Sequence, residues 1–234
     1  VSAFTLLGFG PGGWGGALLL AAGTTLALAL CGFLVGAVLG GLAAGAKLSG
    51  LLPLRMLADG YTTLLRGVPD LLVIYLLYFG GSAALGSIAG LFGATGFVGV
   101  PAFGVGVAAL GIISGAYQAE VFRGAYLALD RGQIEAARAV GMHRGLILRR
   151  VVAPLVARDA LPGLGNVWQI LLKDSALVSV TGLIELLRQA QVGAGSTRQP
   201  FTFYLAAAAL YLAITSLSTW GFSRAEAHAR RGSR

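Results

Sequence analysis

The chain has 234 residues, 56% of them hydrophobic and 11% charged, with a mean hydropathy of +0.81. A water-soluble domain of this size carries about a quarter of its residues as Asp, Glu, Lys and Arg, so the shortage points to a bilayer as solvent. The net charge of +8 is spread between hydrophobic stretches instead of forming one basic face, which argues against nucleic acid and for membrane orientation.

Residues 1–46 carry no charge, and the N-terminus lacks the basic start of a cleaved leader, so the first apolar helix is expected to be retained. It runs over 14–45, with Lys47 and Arg55 beyond it. Gly32, Gly36 and Gly40 recur every four residues, leaving one helix face nearly bare so that a neighbour can approach closely. Cys31 lies in the same apolar run and has no second cysteine to pair with.

A second span is expected over 56–79, amphipathic at its inner end. It contains YTTLLRGVPDLLVIYLLYFG, in which Gly67 and Pro69 allow a bend at the membrane surface and Arg66 can reach carbonyls or headgroups. The glycines between Gly80 and Pro101 predict a loop. A third span follows over 103–126, carrying Glu120 and Arg123 three apart on one face of AYQAEVFRGAYLAL, close enough to pair.

The segment 130–154 is polar, with the core GQIEAARAVGMHRGLILRRVVAPL. Asp130 can cap a helix starting near Arg131, and Gln133 stands at capping-box spacing. Ala136, Ala137 and Ala139 make a slim helix after Glu135, and Gly141 suits a turn with positive φ. A second helix carries Arg144, Arg149 and Arg150 to the membrane, where Pro154 opens the fourth span. His143 and His228 lie in basic surroundings that argue against a metal. A basic helix lying on anionic lipid is the plain alternative, although it gives Glu135 nothing to do.

The fourth span, 160–181, is the least apolar. Asn166, Gln169 and Lys173 fall on one stripe, with Asp174 beside it in LLKDSALVSVTGLIELLRQAQ. Ionisable groups at membrane depth cost about 2.5–3.5 kcal/mol or more, so such a stripe faces either a substrate pathway or a partner helix. The fifth span covers 202–222 and ends with Trp220 at the interface. Lys and Arg collect after the first span, in 130–154 and in the tail, which places the N-terminus outside and the C-terminus inside.

Glu135-Ala136-Ala137, then Gly141 after three residues, then Val151 and Pro154, resembles the EAA loop of ABC import permeases, with Ala153 in place of its usual leucine. Tyr61, Arg66, Gly67, Pro69 and Leu71 resemble the signature of the polar amino acid subgroup, and the stretches around Glu120/Arg123 and Lys173/Asp174/Glu185 match it too. With FGPGGWGG at the start, the chain is most similar to histidine, lysine/arginine/ornithine and opine permeases. The resemblance covers nearly the whole chain. It implies an all-α integral membrane protein of the type I importer fold, a single domain 1–234 with five transmembrane helices in a bacterial inner membrane. It implies that 130–154 is a cytoplasmic coupling loop for an ATP-binding subunit dimer. A second permease, identical or homologous, would complete the pathway, and a periplasmic substrate-binding protein would deliver the cargo.

The chain has no Gly-Lys dipeptide and so no phosphate-cradling lysine of the Walker type. No cofactor is expected on it; ATP and Mg are expected on the partner subunit. Two rivals remain in view. A lipid transferase would need clustered acids, whereas the nine Asp and Glu are scattered. A stand-alone carrier would show internal repeats, which five spans cannot divide evenly. Neither the individual amino acid or opine nor the identity of the second permease is written in these motifs.

Overall fold

The computed structural model describes residues 3–91 and 101–231 and is helical, with no strand among the described residues. In chain order the helices are α1 (Ala3–Leu6), α2 (Gly15–Leu48), α3 (Leu52–Gly67), α4 (Asp70–Leu91), α5 (Ala102–Leu127), α6 (Arg131–Ala139), α7 (Arg144–Ile147), α8 (Ala153–Asp174), α9 (Leu186–Thr197) and α10 (Pro200–Arg231). A π-helical turn, Leu148–Val152, joins α7 to α8, and a 3-10 segment, Ser175–Thr181, follows α8.

The α2/α5 pair is the spine, and its closeness comes from glycine on both sides. A Cβ on Gly36 would lie 2.1 Å from Ser114 Oγ, and one on Gly40 would lie 2.9 Å from Gln118 Cβ. On the facing helix, a Cβ on Gly111 would meet Val35 at 2.5 Å. That approach lets α5 side chains reach α2 carbonyls: Ser114 Oγ donates to Gly32 O at 3.3 Å and Gln118 Nε2 to Phe33 O at 3.1 Å. Leu28, Ile74, Leu110, Ile113, Leu171 and Val178 form the core around this contact, drawing α4, α8 and the 3-10 segment onto the spine. Burying six such side chains contributes roughly 1.5–3 kcal/mol each where the alternative is water, and packing contact where it is lipid.

The expected straight span 56–79 is instead two helices, α3 and α4, meeting at 107°. Pro69 is the cause. It offers no N–H, and it forces the preceding Val68 into extended backbone, φ −98 and ψ 138, which stops α3. The loop expected from Gly80 also starts too early. Gly80, Gly81 and Gly86 sit inside α4, where each costs about 1 kcal/mol against alanine without ending the helix. Residues 92–100, with Gly93, Gly96 and Gly99, lie outside the described residues.

The helix expected from 160 begins at Ala153, because Arg158 and Asp159 pair at 3.0 Å and are tolerated within it. Its regular part ends at Asp174, and the 3-10 segment carries the chain to Thr181, where Gly182 turns it with φ +85. Pro154, the second residue of α8, does not start a fresh helix. It lacks the N–H that would meet Arg150 O, and the backbone widens into the π turn over Leu148–Val152, so that α7 runs on into α8.

α9 was not among the expected elements. Buried Glu185 caps it, accepting from Leu187 N at 2.9 Å and Arg188 N at 2.7 Å. Tyr211 Oη donates to the same carboxyl at 3.0 Å, and Leu186 N donates to Thr25 Oγ1 at 3.1 Å, so α9 is pinned to α10 and α2. Among the described residues, three helices, Gly15–Leu48, Ala102–Leu127 and Pro200–Ala229, are long and apolar enough to cross a membrane, and α3 with α4 makes a fourth candidate as a bent pair.

Candidate functional site

Two places collect polar side chains, one before the start of α8 and the other at its end. The first is the segment between α5 and α8. Asp130 caps α6 by accepting from Gly132 N at 2.9 Å. The reciprocal capping box does not form: Gln133 contributes its backbone N–H to Asp130 O, and its side chain makes no return bond among the described residues. Gly141 takes φ +80, the left-handed turn that its lack of a Cβ permits, and His143 Nδ1 caps α7 by accepting from Leu146 N at 3.4 Å.

Ala137 points inward and packs with Ile147 and Val152. Its neighbours at 100° intervals face out: Glu135, Ala136, Arg138 and Ala139 are exposed, and Val140 is 72% exposed. A cavity of 360 Å³ opens beside α6, lined by Tyr126, Arg131, Ile134, Glu135 and Arg138. An exposed valine at the tip of a polar helix pair, with a cavity beneath, is what a protein partner can cover.

The second place is the α3/α4 break. Asp70, in the first turn of α4, faces Asp174, at the last turn of α8. Asp174 Oδ2 is buried and has no hydrogen-bond partner among the described residues. Tyr117 of α5 stands beside them, and the Arg66 guanidinium lies 5.7 Å from the centre of its ring. The exposed Arg66 guanidinium thus lies over an aromatic face. Two carboxyl groups with an unfilled acceptor make a site for a cation or a proton.

The Asn166, Gln169 and Lys173 stripe lies along α8. Asn166 and Lys173 are exposed, and Gln169 Nε2 donates to Thr219 Oγ1 of α10 at 3.2 Å. Below the break, the expected Glu120–Arg123 pair is present at 3.5 Å, yet Glu120 has a second partner in Lys47 of α2. Lys47, whose side chain is 6% exposed, also reaches Asp59 at 3.0 Å and Thr62 Oγ1 at 2.6 Å, tying α2, α3 and α5 together. Tyr61 adds to this tie by donating to Ile112 O at 2.6 Å. Among the described residues, no group of three or more His, Cys, Asp or Glu is placed to hold a metal.

Sequence reasoning missed Asp70, Tyr117, Lys47 and the capping role of Glu185. Asp70 directly follows Pro69 of the signature, a local hint, but its meeting with Asp174 depends on tertiary packing.

Residues 36–230 match the family model described as "Binding-protein-dependent transport system inner membrane component". The octopine transport system permease protein of Rhizobium radiobacter is 59% identical over 97% of this chain and 96% of its own length. The nopaline transport system permease protein of Agrobacterium fabrum is 52% identical over 98% of both chains. A solved structure, "Crystal structure of an amino acid ABC transporter with histidines", superposes with a TM-score of 0.77 at 34% identity, covering 92% of this chain and 95% of that one.

Proposed function

The chain belongs to the family of binding-protein-dependent transport system inner membrane components, a transport subunit of the type I importer fold and not an enzyme, and we propose that its cargo is a cationic amino acid or an opine derived from one. One observation carries this reading: the Asp70 and Asp174 carboxyl groups meet, and Asp174 Oδ2 is buried with no donor on it among the described residues. A guanidinium or ammonium arriving between them satisfies that oxygen and relieves the repulsion. Lys173, adjacent and exposed, is suited to the carboxylate of the same molecule. The octopine and nopaline permeases among its relatives fit such a cargo.

In this reading α2, the bent α3/α4 pair, α5, α8 and α10 are five crossings, with the N-terminus outside and the C-terminus inside. The Lys and Arg distribution supports that orientation. The Asn166, Gln169 and Lys173 face, too polar for lipid, borders the pathway against a second permease, identical or homologous. A periplasmic substrate-binding protein delivers the cargo at the outer face of the bacterial inner membrane.

A dimer of ATP-binding subunits, holding ATP and Mg²⁺, grips Glu135, Ala136, Val140 and Gly141. Pro154 and the π turn make α7 and α8 one continuous lever, and α5 enters the loop from the other side, so a push on the loop reaches Tyr117 and Asp174 through two helices. Moving those groups away from Asp70 would release the cargo inward, the alternating-access logic of transporters.

Reconstitution with the ATPase and binding protein in liposomes tests the cargo. Asp174→Asn should lower ATP-driven uptake of arginine-like cargo at least about tenfold, the cost of one desolvated charge pair, while ATP hydrolysis persists. Unchanged uptake of the cation, or uptake restricted to neutral cargo, would defeat the reading.

A further inference from the structure

A second row of small residues runs along α2, and its glycines, unlike those of the spine, are not in contact with a neighbouring helix. Cβ atoms on Gly41 and Gly45 would meet no atom within 4 Å. The row forms the floor of an apolar groove of 400 Å³, walled by Phe122 of α5 and Val156 of α8 and reaching from Ala37 to Leu48. At 1.5 Å per residue that run is about 16 Å long. It matches one leaflet of a hydrocarbon core about 30 Å thick.

At its loop end the groove meets a smaller cavity of 170 Å³, and the two share Tyr126, Leu148 and Val152 as walls. That cavity is lined by Arg138 and Arg144. Both are exposed, and neither enters an ion pair among the described residues. An apolar slot one leaflet deep, opening onto two unpaired guanidinium groups, is complementary to an acyl chain bearing a phosphodiester. We propose that this composite cavity is a binding site for one anionic phospholipid of the cytoplasmic leaflet, seated against the root of the 130–154 loop. Its placement in the inner leaflet rests on the orientation proposed above. The lipid would wedge between α2, α5 and α8, and its headgroup would fix α6 and α7 through Arg138 and Arg144.

The test is native mass spectrometry of the permease–ATPase complex, purified from bacterial membranes and washed in detergent with phosphatidylglycerol or phosphatidylcholine. One phosphatidylglycerol per permease chain should survive the wash. The double replacement Arg138→Gln with Arg144→Gln should weaken retention by about thirtyfold, from about fivefold per arginine. Gly41→Leu, which fills the groove, should abolish retention, while Gly23→Leu, elsewhere on α2 and also in open space, should leave it unchanged. The arginine replacements lie on the exposed loop, so that arm decides the question even if Gly41→Leu fails to assemble. Equal retention in the arginine and Gly41 variants, or phosphatidylcholine held as well as phosphatidylglycerol, overturns the proposal. So does a disulfide-linked permease dimer formed through Gly41→Cys in a Cys31→Ser background, which would place a second chain in the groove. Periplasmic labelling of Val140→Cys would sink the orientation alone; the lipid count still decides the groove.

Discussion

Single side chains in this protein matter most where a buried polar group ties a helix start to its neighbours. Glu185 is fully buried and holds two backbone N–H groups of α9 together with the Tyr211 hydroxyl. Glu185→Ala strands those donors, at about 1–3 kcal/mol for each that finds no water, so a loss of about 3–5 kcal/mol is expected. Thermal unfolding in detergent would register it as a clear fall in Tm, whereas Tyr211→Phe should cost only about 1 kcal/mol. Glycine supplies the second class of sensitive position. Gly36→Leu drives a side chain into Ser114 and should prevent assembly of the α2/α5 spine, measured as loss of folded protein in the membrane. A tolerated Gly36→Leu would mean that the spine is looser than these contacts require.

Among the elements, the two breaks do different work. The Val68–Pro69 break turns the chain by 107° and sets Asp70 at a helix start facing Asp174. Replacing Pro69 with alanine allows α3 and α4 to fuse, so uptake should fall severalfold while binding of the ATPase persists, as read by transport and co-purification side by side. The turn at Gly141 is held at φ +80, where a Cβ costs about 1–2 kcal/mol. Gly141→Asp should therefore weaken ATPase recovery in a detergent pull-down, and Glu135→Arg should do so through charge, with the permease itself still folded. Features of this kind were legible in the sequence because they are local: Asp130 as a cap, Gly141 as a turn and the Gly32/Gly36/Gly40 stripe are each decided within a few residues. The bend at Pro69 was foreseen as possible, but its size was not, since 107° depends on what α3 packs against. α8 began earlier than hydropathy suggested because Arg158 and Asp159 neutralise each other, and a hydropathy window counts them as two charges. α9 was hidden for a related reason: its cap, Glu185, looks like a surface carboxylate until Tyr211 and Thr25 are brought to it.

At the scale of the whole molecule, the polar groups form two stations joined by α5 and α8. One station is the exposed loop with Glu135, Val140 and Gly141; the other is the Asp70/Asp174 pair with Tyr117 and Lys173. Between them the Lys47 node binds α2, α3 and α5 through Asp59, Thr62 and Glu120, so that these parts of the three helices move as a body. The carboxylate pair could not be read from the sequence, because Asp70 and Asp174 are joined only by packing. What the account needs above all is that a motor subunit holds the loop. A photo- or thiol-reactive cross-linker placed by Val140→Cys in a Cys31→Ser background, in membranes containing the intact complex, asks this directly. The account predicts a covalent adduct with the ATP-binding subunit that is lost in Gly141→Asp. Adducts with lipid alone, or labelling of that cysteine by a membrane-impermeant reagent from the periplasmic side, would contradict it.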